Sequence, residues 1–400
     1  MNIHKIELKT PFLSLYLEKE KGLLFNHFET VLYELRPITV AFFLAIDDGL
    51  SEYLAVQEIA HNCDLPRREL LSEYHKAKAL FTYNKLTLNY LDGRYPELIH
   101  LSGIAHIYSS ESTNTYKVGE STFGITCADS DLQIQIKALL KPAEVDLKQV
   151  HFKLTIKRFD KGDDSQYYDV FCNDLLIERN LDFAEVFPVL IDRMQILTFQ
   201  HSEFSFCFHG AALKTAFGNV LLPGKSGAGK STLSAVLAAK QCELYSDEMI
   251  VLDKNFQIKT LPLPIAIKSG SWGVLSHLYP ELNHTVQWQR IDGRRLKYVW
   301  PAAFSAPKKG THDLPVLILA PQFFENSNKT QQRAQKMSVI ETITMLIDSG
   351  YQVGSELDET TLENFIDFIV SADCYRFSYN NSEQAEKELL ALWSDNNVRN

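Results

Sequence analysis

Residues 224–231 read GKSGAGKS, and no other stretch of the 400-residue chain constrains its fold so strongly. The pattern G-x-x-x-x-G-K-[ST] requires a backbone that curls around an anion. Gly224, Gly227 and Gly229 supply conformations that a side chain resists. The curl aims several N–H groups at one point. Lys230 can then reach the outer phosphates, and the Ser231 hydroxyl can ligate Mg²⁺. Such a loop works between a strand and a helix N-terminus, where the helix dipole also favours negative charge. The flanks fit. Val220, Leu221 and Leu222 form a short apolar run that predicts a strand. Residues 231–240, STLSAVLAAK, contain few breakers and predict a helix. The whole predicts a nucleoside triphosphate site, with Lys225, Ser226, Ala228 and Thr232 completing the loop.

Bulk composition narrows the setting. The net charge of −10 argues against a nucleic-acid partner. The six cysteines are scattered and include no C-x-x-C pair. That argues against a zinc site or a disulfide scaffold and suits a reducing cytoplasm. The opening MNIHKIELKTPFLSLYL alternates in polarity and lacks the apolar core of a signal peptide. The longest apolar runs, such as 40–46, are too short to span a bilayer. The expectation is a cytoplasmic chain without a membrane partner.

Three zones are predicted. The first, 1–84, opens with alternation over 6–17, a strand signal, and a hairpin turn at Lys21-Gly22. Three helices follow. Pro37 suits the first turn of one, Ser51 can cap the next, and Pro66 opens the third. A strand pair with three short helices is a winged-helix-like pattern. The second zone, 85–204, is β-rich, with strands expected at 133–136, 152–156 and 167–171 and a helix at 188–199. Asp92-Gly93 marks a turn in a linker. The third zone, 205–400, holds the loop, a strand from Pro315, and helices at 338–347 and 360–369.

Asp247 follows Lys230 by 17 residues, and Glu248 adjoins it. A helix of about eleven residues climbs roughly 16 Å at 1.5 Å per residue. The next strand returns a similar distance at about 3.3 Å per residue. A right-handed crossover therefore brings Asp247 to the sheet edge that carries Lys230 and Ser231. One carboxylate there can take a proton from an incoming hydroxyl, and the other can hold Mg²⁺. In ABC-type and RecA-type ATPases the corresponding aspartate lies far downstream, so this spacing argues against both.

Residues 209–253 resemble the catalytic domain of bacterial HPr kinase/phosphorylase. The shared features are His209-Gly210, the strand at 220–222, the GKSGAGKS loop, the helix from Ser231, and the acidic pair. The resemblance implies an α/β, phosphoenolpyruvate carboxykinase-like P-loop fold using ATP and Mg²⁺. It implies Asp247 as general base toward a serine hydroxyl and Lys230 as the cation on the phosphates. It further implies Ser231 and Glu248 toward Mg²⁺, with His209 close by. Two positions depart: Lys225 stands where the family has an acid, and Thr232 where it has glutamate. The family's downstream glycine-rich signature is replaced by 261–272 and Asp292-Gly293-Arg294-Arg295. That order is similar to HPr-kinase-related proteins of peptide-modification clusters, which argues for an acceptor other than HPr. Lys268, Arg294 and Arg295 are candidates to grip substrate or γ-phosphate.

The first zone resembles the PqqD-type peptide-recognition domain. The markers are Leu35 and Pro37, the Asp48-Gly49-Leu50-Ser51 junction, and Leu65-Pro66. The resemblance implies that a peptide adds as a strand to the small sheet. The expected activity is ATP-dependent phosphorylation of a serine or threonine on a peptide or small protein. Two alternatives stand beside it: a kinase of a free hydroxy amino acid, and a nucleotide-dependent peptide-binding module with little turnover. Homo-oligomerisation is left open.

Overall fold

The computed structural model describes residues 3–81, 108–109, 113–161, 165–240, 242–301, 315–324, 334–354, 357–381, 385–389 and 391–392. The chain is mixed α/β with several sheets. The turn expected at Asp92-Gly93 lies outside the described residues. None of the described helices is long and apolar enough to cross a membrane. All six cysteines are unpaired thiols.

The chain begins with an antiparallel meander of four strands: β1 (Ile3–Ile6), β2 (Leu13–Glu18), β3 (Lys21–Asn26) and β4 (Val31–Leu35). The expected strand pair is thus doubled. The strand signal over 6–17 splits around Pro11, which has no N–H to give to a ladder. The first tight turn also falls two residues early. Glu18 pairs with Lys21, so Lys19 and Glu20 make the turn, with Lys19 at φ 58°. Gly22 lies inside β3 instead, where a Cβ would come within 2.7 Å of Val40 Cγ2. Its missing side chain is what lets α1 (Pro37–Asp47) approach. Helices α2 (Glu52–Ala60) and α3 (Arg67–Ala79) complete the layer, and Ser51 caps α2 by accepting from the Leu54 N–H at 3.4 Å.

The next unit holds β5 (Asn114–Val118), β6 (Ser121–Cys127), α4 (Ser130–Leu140), β7 (Phe152–Lys161), β8 (Ser165–Cys172), β9 (Leu175–Leu181) and α5 (Phe183–His201). The strand expected at 133–136 is helical. Asp129 caps α4 through the Leu132 N–H, and Leu132, Ile136, Leu139 and Leu140 are buried. Gln-Ile-Gln-Ile alternates over too few residues to outweigh that 3.6-residue pattern. Helix α5 also starts earlier than expected, at a capping box of Asp182 and Glu185, and carries Pro188 inside it.

The last unit contains β10 (Phe206–Lys214), β11 (Asn219–Pro223), α6 (Lys230–Lys240), β12 (Glu243–Ser246), β13 (Met249–Leu252), β14 (Ile265–Lys268), β15 (Arg295–Val299) and β16 (Val316–Phe323). It ends with α7 (Val339–Asp348), α8 (Glu359–Ser371) and β17 (Asp373–Tyr379), followed by short helical residues from 385. Strand β10 runs antiparallel to β11 and β12, so those two are parallel with β10 between them. The expected crossover therefore exists, with one strand interposed. Beyond β11 the sheet continues in parallel through β16 to β17.

The first unit is not a separately packed body. Its sheet alternates, as period-two pleating requires. Leu13, Leu15, Leu24 and Leu35 pack with the three helices. Tyr16, Leu23, Phe25 and Leu32 join the core of Phe206, Phe208, α7 and α8. A buried carboxylate locks this contact. Glu18, 7% exposed, accepts the Val339 and Ile340 N–H groups at 3.0 and 2.9 Å, two otherwise orphaned donors of α7. Charge-assisted bonds of this type contribute about 1.5–3 kcal/mol each. Glu18→Ala is expected to destabilise the fold by roughly 2–4 kcal/mol. The loss should appear as a lower denaturation midpoint and as faster amide exchange at Val339 and Ile340.

Candidate functional site

The site is built where β10 changes partners on both flanks. Its second half pairs with β11 through Gly210↔Pro223 and with β12 through Ala212↔Ser246. Its first half pairs with β13 through His209↔Met249, and with Tyr351–Val353 through Phe208↔Tyr351. At this step β11 runs out into the phosphate loop. On the other flank, Asp247 and Glu248 fill the gap between β12 and β13. Backbone bonds knit the junction: Gly224 N–H to His209 O at 3.3 Å, His209 N–H to Gly350 O at 2.9 Å, and Gly210 N–H to Glu248 O at 3.0 Å.

Gly210 is obligatory here for space. A Cβ on it would meet Ile250 Cδ1 at 2.6 Å, Leu222 O at 2.7 Å and Pro223 Cα at 2.9 Å. In the loop the constraint is conformational, with Gly227 at φ 91° and Gly229 at φ 90°. The Tyr379 hydroxyl donates to Gly229 O at 2.9 Å, tying the loop to β17.

Lys230 is buried, and its ammonium donates to Lys225 O at 2.9 Å. Burial draws its pKa down to about 8, against the opposing pull of Glu248 and Asp247. Asp247 is buried too. Its Oδ1 accepts from Ser234 Oγ at 2.5 Å, while its enclosed Oδ2 has no partner. Burial, then the neighbouring Glu248, raises this carboxyl to about 7; hydrogen bonds from Ser234 and Ser231 and the Lys230 charge act the other way. Glu248 opens into the cleft, 3.5 Å from His209 Nδ1. Burial lowers the His209 pKa, with Glu248 opposing. A neutral imidazole whose Nδ1–H donates to Glu248 O, 3.1 Å away, satisfies that contact.

The remaining sequence candidates divide. Lys268 Nζ and Arg294 Nη1 both lie 3.4 Å from Ser226 Oγ at the loop tip. Arg294 also donates from Nε to Asp292 Oδ2 at 2.7 Å. Arg295 is exposed and lines neither cavity beside the loop. Lys225 is exposed, and its ammonium lies 3.6 Å from Asp348 at the end of α7. Thr232 Oγ1 bonds Ser271 Oγ at 2.7 Å rather than facing the acids.

Glu248, Lys230 and Ser231 line a cleft of ≈ 710 Å³, while Asp247 lies buried beside Glu248. Sequence reasoning missed several of its residues. Asp192 and Arg193 come from α5, in a zone to which the sequence assigns no chemistry. Arg290 pairs with Asp192 at 2.7 Å. No local motif marks these residues; only the packing of α5 beside the loop brings them in.

The donor set suits Mg²⁺. Ser231 and Glu248 are hard oxygen ligands that line the cleft, and Mg²⁺ at phosphate sites draws its other ligands from phosphate and water. Among the described residues no group of three His, Cys, Asp or Glu could hold a metal by itself. In comparisons with known proteins, no family model and no curated protein matches the chain.

Gly210→Ala is expected to cost about 1–3 kcal/mol, because backbone atoms cannot yield to the new methyl group. Chemical denaturation should report the loss, and nucleotide affinity should fall with it, since β11 and the loop must shift.

Proposed function

We propose that the chain is an ATP- and Mg²⁺-dependent kinase of the HPr-kinase-like, phosphoenolpyruvate carboxykinase-like kind. Its acceptor is a serine or threonine hydroxyl on a peptide or small protein. The observation that carries this reading is the junction at Gly210, which gathers a glycine loop, a buried lysine and two carboxylates around one point. Phosphoryl transfer needs little covalent help from a protein; it needs positioning and charge neutralisation.

In this reading the loop N–H groups and Lys230 hold the phosphates. The acceptor oxygen attacks the γ-phosphorus as the bond to the β,γ-bridging oxygen breaks. Asp247 takes the hydroxyl proton, and a carboxyl that titrates near neutrality is matched to that task. Lys230 meets the charge that develops on the leaving diphosphate. Ser231 and Glu248 would hold Mg²⁺, which neutralises phosphate charge when bound. Lys268 and Arg294 sit over the loop tip, where they would close on the triphosphate. His209 would help fix Glu248.

The first unit supports a peptide acceptor. Strand β4 pairs only with β3 among the described residues, which leaves an edge for an added strand. The Asp192–Arg290 pair favours a second reading. It places one charge of each sign in the cleft wall, as a free hydroxy amino acid would need.

The test is transfer from γ-labelled ATP to peptides encoded beside the gene, run against free serine, threonine and homoserine. Asp247→Asn is expected to lower kcat by about 10²–10⁴-fold while ATP still binds. Glu248→Gln should chiefly raise the Mg²⁺ requirement. Persistent turnover in Asp247→Asn, together with its loss in Glu248→Gln at saturating Mg²⁺, would show that the two carboxylates have exchanged roles. ATP binding without any phosphoproduct would leave only a binding module.

A further inference from the structure

The phosphate loop separates two cavities whose linings differ in kind. On one side lies the charged cleft of ≈ 710 Å³, with His209, Glu248, Asp192 and Arg290. On the other lies a cavity of ≈ 380 Å³ whose walls are Val236, Ile267, Val274, Phe323 and Tyr379. Lys230, Ser231 and Lys268 line both. The smaller cavity has the size and mostly apolar lining of a small-molecule site.

Its construction is specific. Val274 and Phe323 are 50% and 42% exposed, yet both contribute to this one cavity instead of being scattered over the surface. Tyr379 is buried beneath, and its bond to Gly229 O makes the floor and the loop one piece. The Thr232–Ser271 hydroxyl contact joins α6 to the opposite wall. Asn380 stands among the lining residues with both an amide donor and an acceptor.

The direction of the reaction says which side is which. In phosphoryl transfer the entering and leaving oxygens lie roughly in line across the γ-phosphorus. Glu248 opens into the charged cleft, with Asp247 buried next to it in the chain, so the acceptor enters from there. The leaving diphosphate, and the nucleoside beyond it, must then extend to the far side of the loop.

We propose that the smaller cavity is a nucleoside subsite. The aliphatic and aromatic walls enclose the faces of the base, and Asn380 reads a polar edge. This rests on the reading that the loop binds a nucleoside triphosphate. It leaves the charged cleft wholly to the acceptor, so the two substrates bind on opposite sides of the loop without competing.

Calorimetric titration of the full chain with Mg²⁺-ATP and with inorganic tripolyphosphate tests the assignment. Val274→Trp fills the cavity from an exposed position outside the core. It is expected to weaken ATP by about tenfold or more and to leave tripolyphosphate within about twofold of wild type. Phe323→Ala should show the same selectivity with a smaller loss. Wild-type affinity for ATP in Val274→Trp would overturn the subsite, as would equal losses of both ligands in both variants. Failure of the wild-type chain to bind either ligand is a different result: it sinks the nucleotide reading itself.

Discussion

The structure depends on a place where no side chain fits. Strand β10 exchanges neighbours on both flanks at His209-Gly210, and four segments meet within a few ångströms of the Gly210 Cα. Any Cβ there would press on Leu222 O and Pro223 Cα, which are backbone atoms that cannot rotate away. Because Gly210 allows the approach, Pro223 can end β11 beside it and release the loop. For the same reason Glu248 O can accept from Gly210 N–H, which fixes the turn that carries both carboxylates. The loop and the acids are therefore positioned by one packing event, not by two local motifs. The low pKa of Lys230 and the high pKa of Asp247 follow from it, since both groups are buried by the strands that converge there.

A second constraint ties the distant first unit to this junction. Glu18 satisfies the first N–H groups of α7, and the same helix ends at Asp348 beside Lys225 of the loop. Gly350, just past that end, accepts from His209 N–H. Helix α7 is ten residues long, roughly 15 Å at 1.5 Å per residue. The β-meander and the phosphate loop thus bear on opposite ends of one short rigid rod. Removing the meander would uncover α7 and α8, which Glu18, Tyr16 and Lys5 hold from its side. The first unit is better understood as a third layer of the fold than as an appended module.

Much of the site was legible because its geometry is local. The glycine loop, the helix after it and the return to Asp247 lie within 24 residues, and fixed rises per residue carry that span without tertiary information. Helices α1, α7 and α8 were legible for the same reason: Pro37, Ser338 and a 3.6-residue apolar pattern mark them from within. The strand error at 133–136 shows the limit. Four alternating residues satisfied one period, while the neighbouring Leu132, Leu139 and Leu140 satisfied another and decided the outcome by burial. Asp192, Arg290 and Tyr379 were illegible for a deeper reason. Each reaches the loop from a remote part of the chain, and nothing in its immediate sequence separates it from an ordinary helix, turn or strand residue.

Under the proposed kinase reading, the two loop positions that differ from the HPr-kinase pattern have physical content in the same terms. Lys225 replaces an acid at the loop, which taken alone suggests an added phosphate contact. Its side chain, 73% exposed, instead sets the ammonium 3.6 Å from Asp348 at the rim of the charged cleft. An exposed pair of this kind contributes little to stability, so Lys225 stands at the cleft rim while Lys268 and Arg294 lie against Ser226 at the loop tip. Thr232 replaces glutamate and turns to Ser271, on the side of the apolar cavity. A carboxylate at that position would face a cavity that Lys230 and Lys268 also line, where it would compete with phosphate for those two cations. The two substitutions therefore act on opposite faces of the loop. One faces α7, and the other keeps a carboxylate out of the smaller cavity.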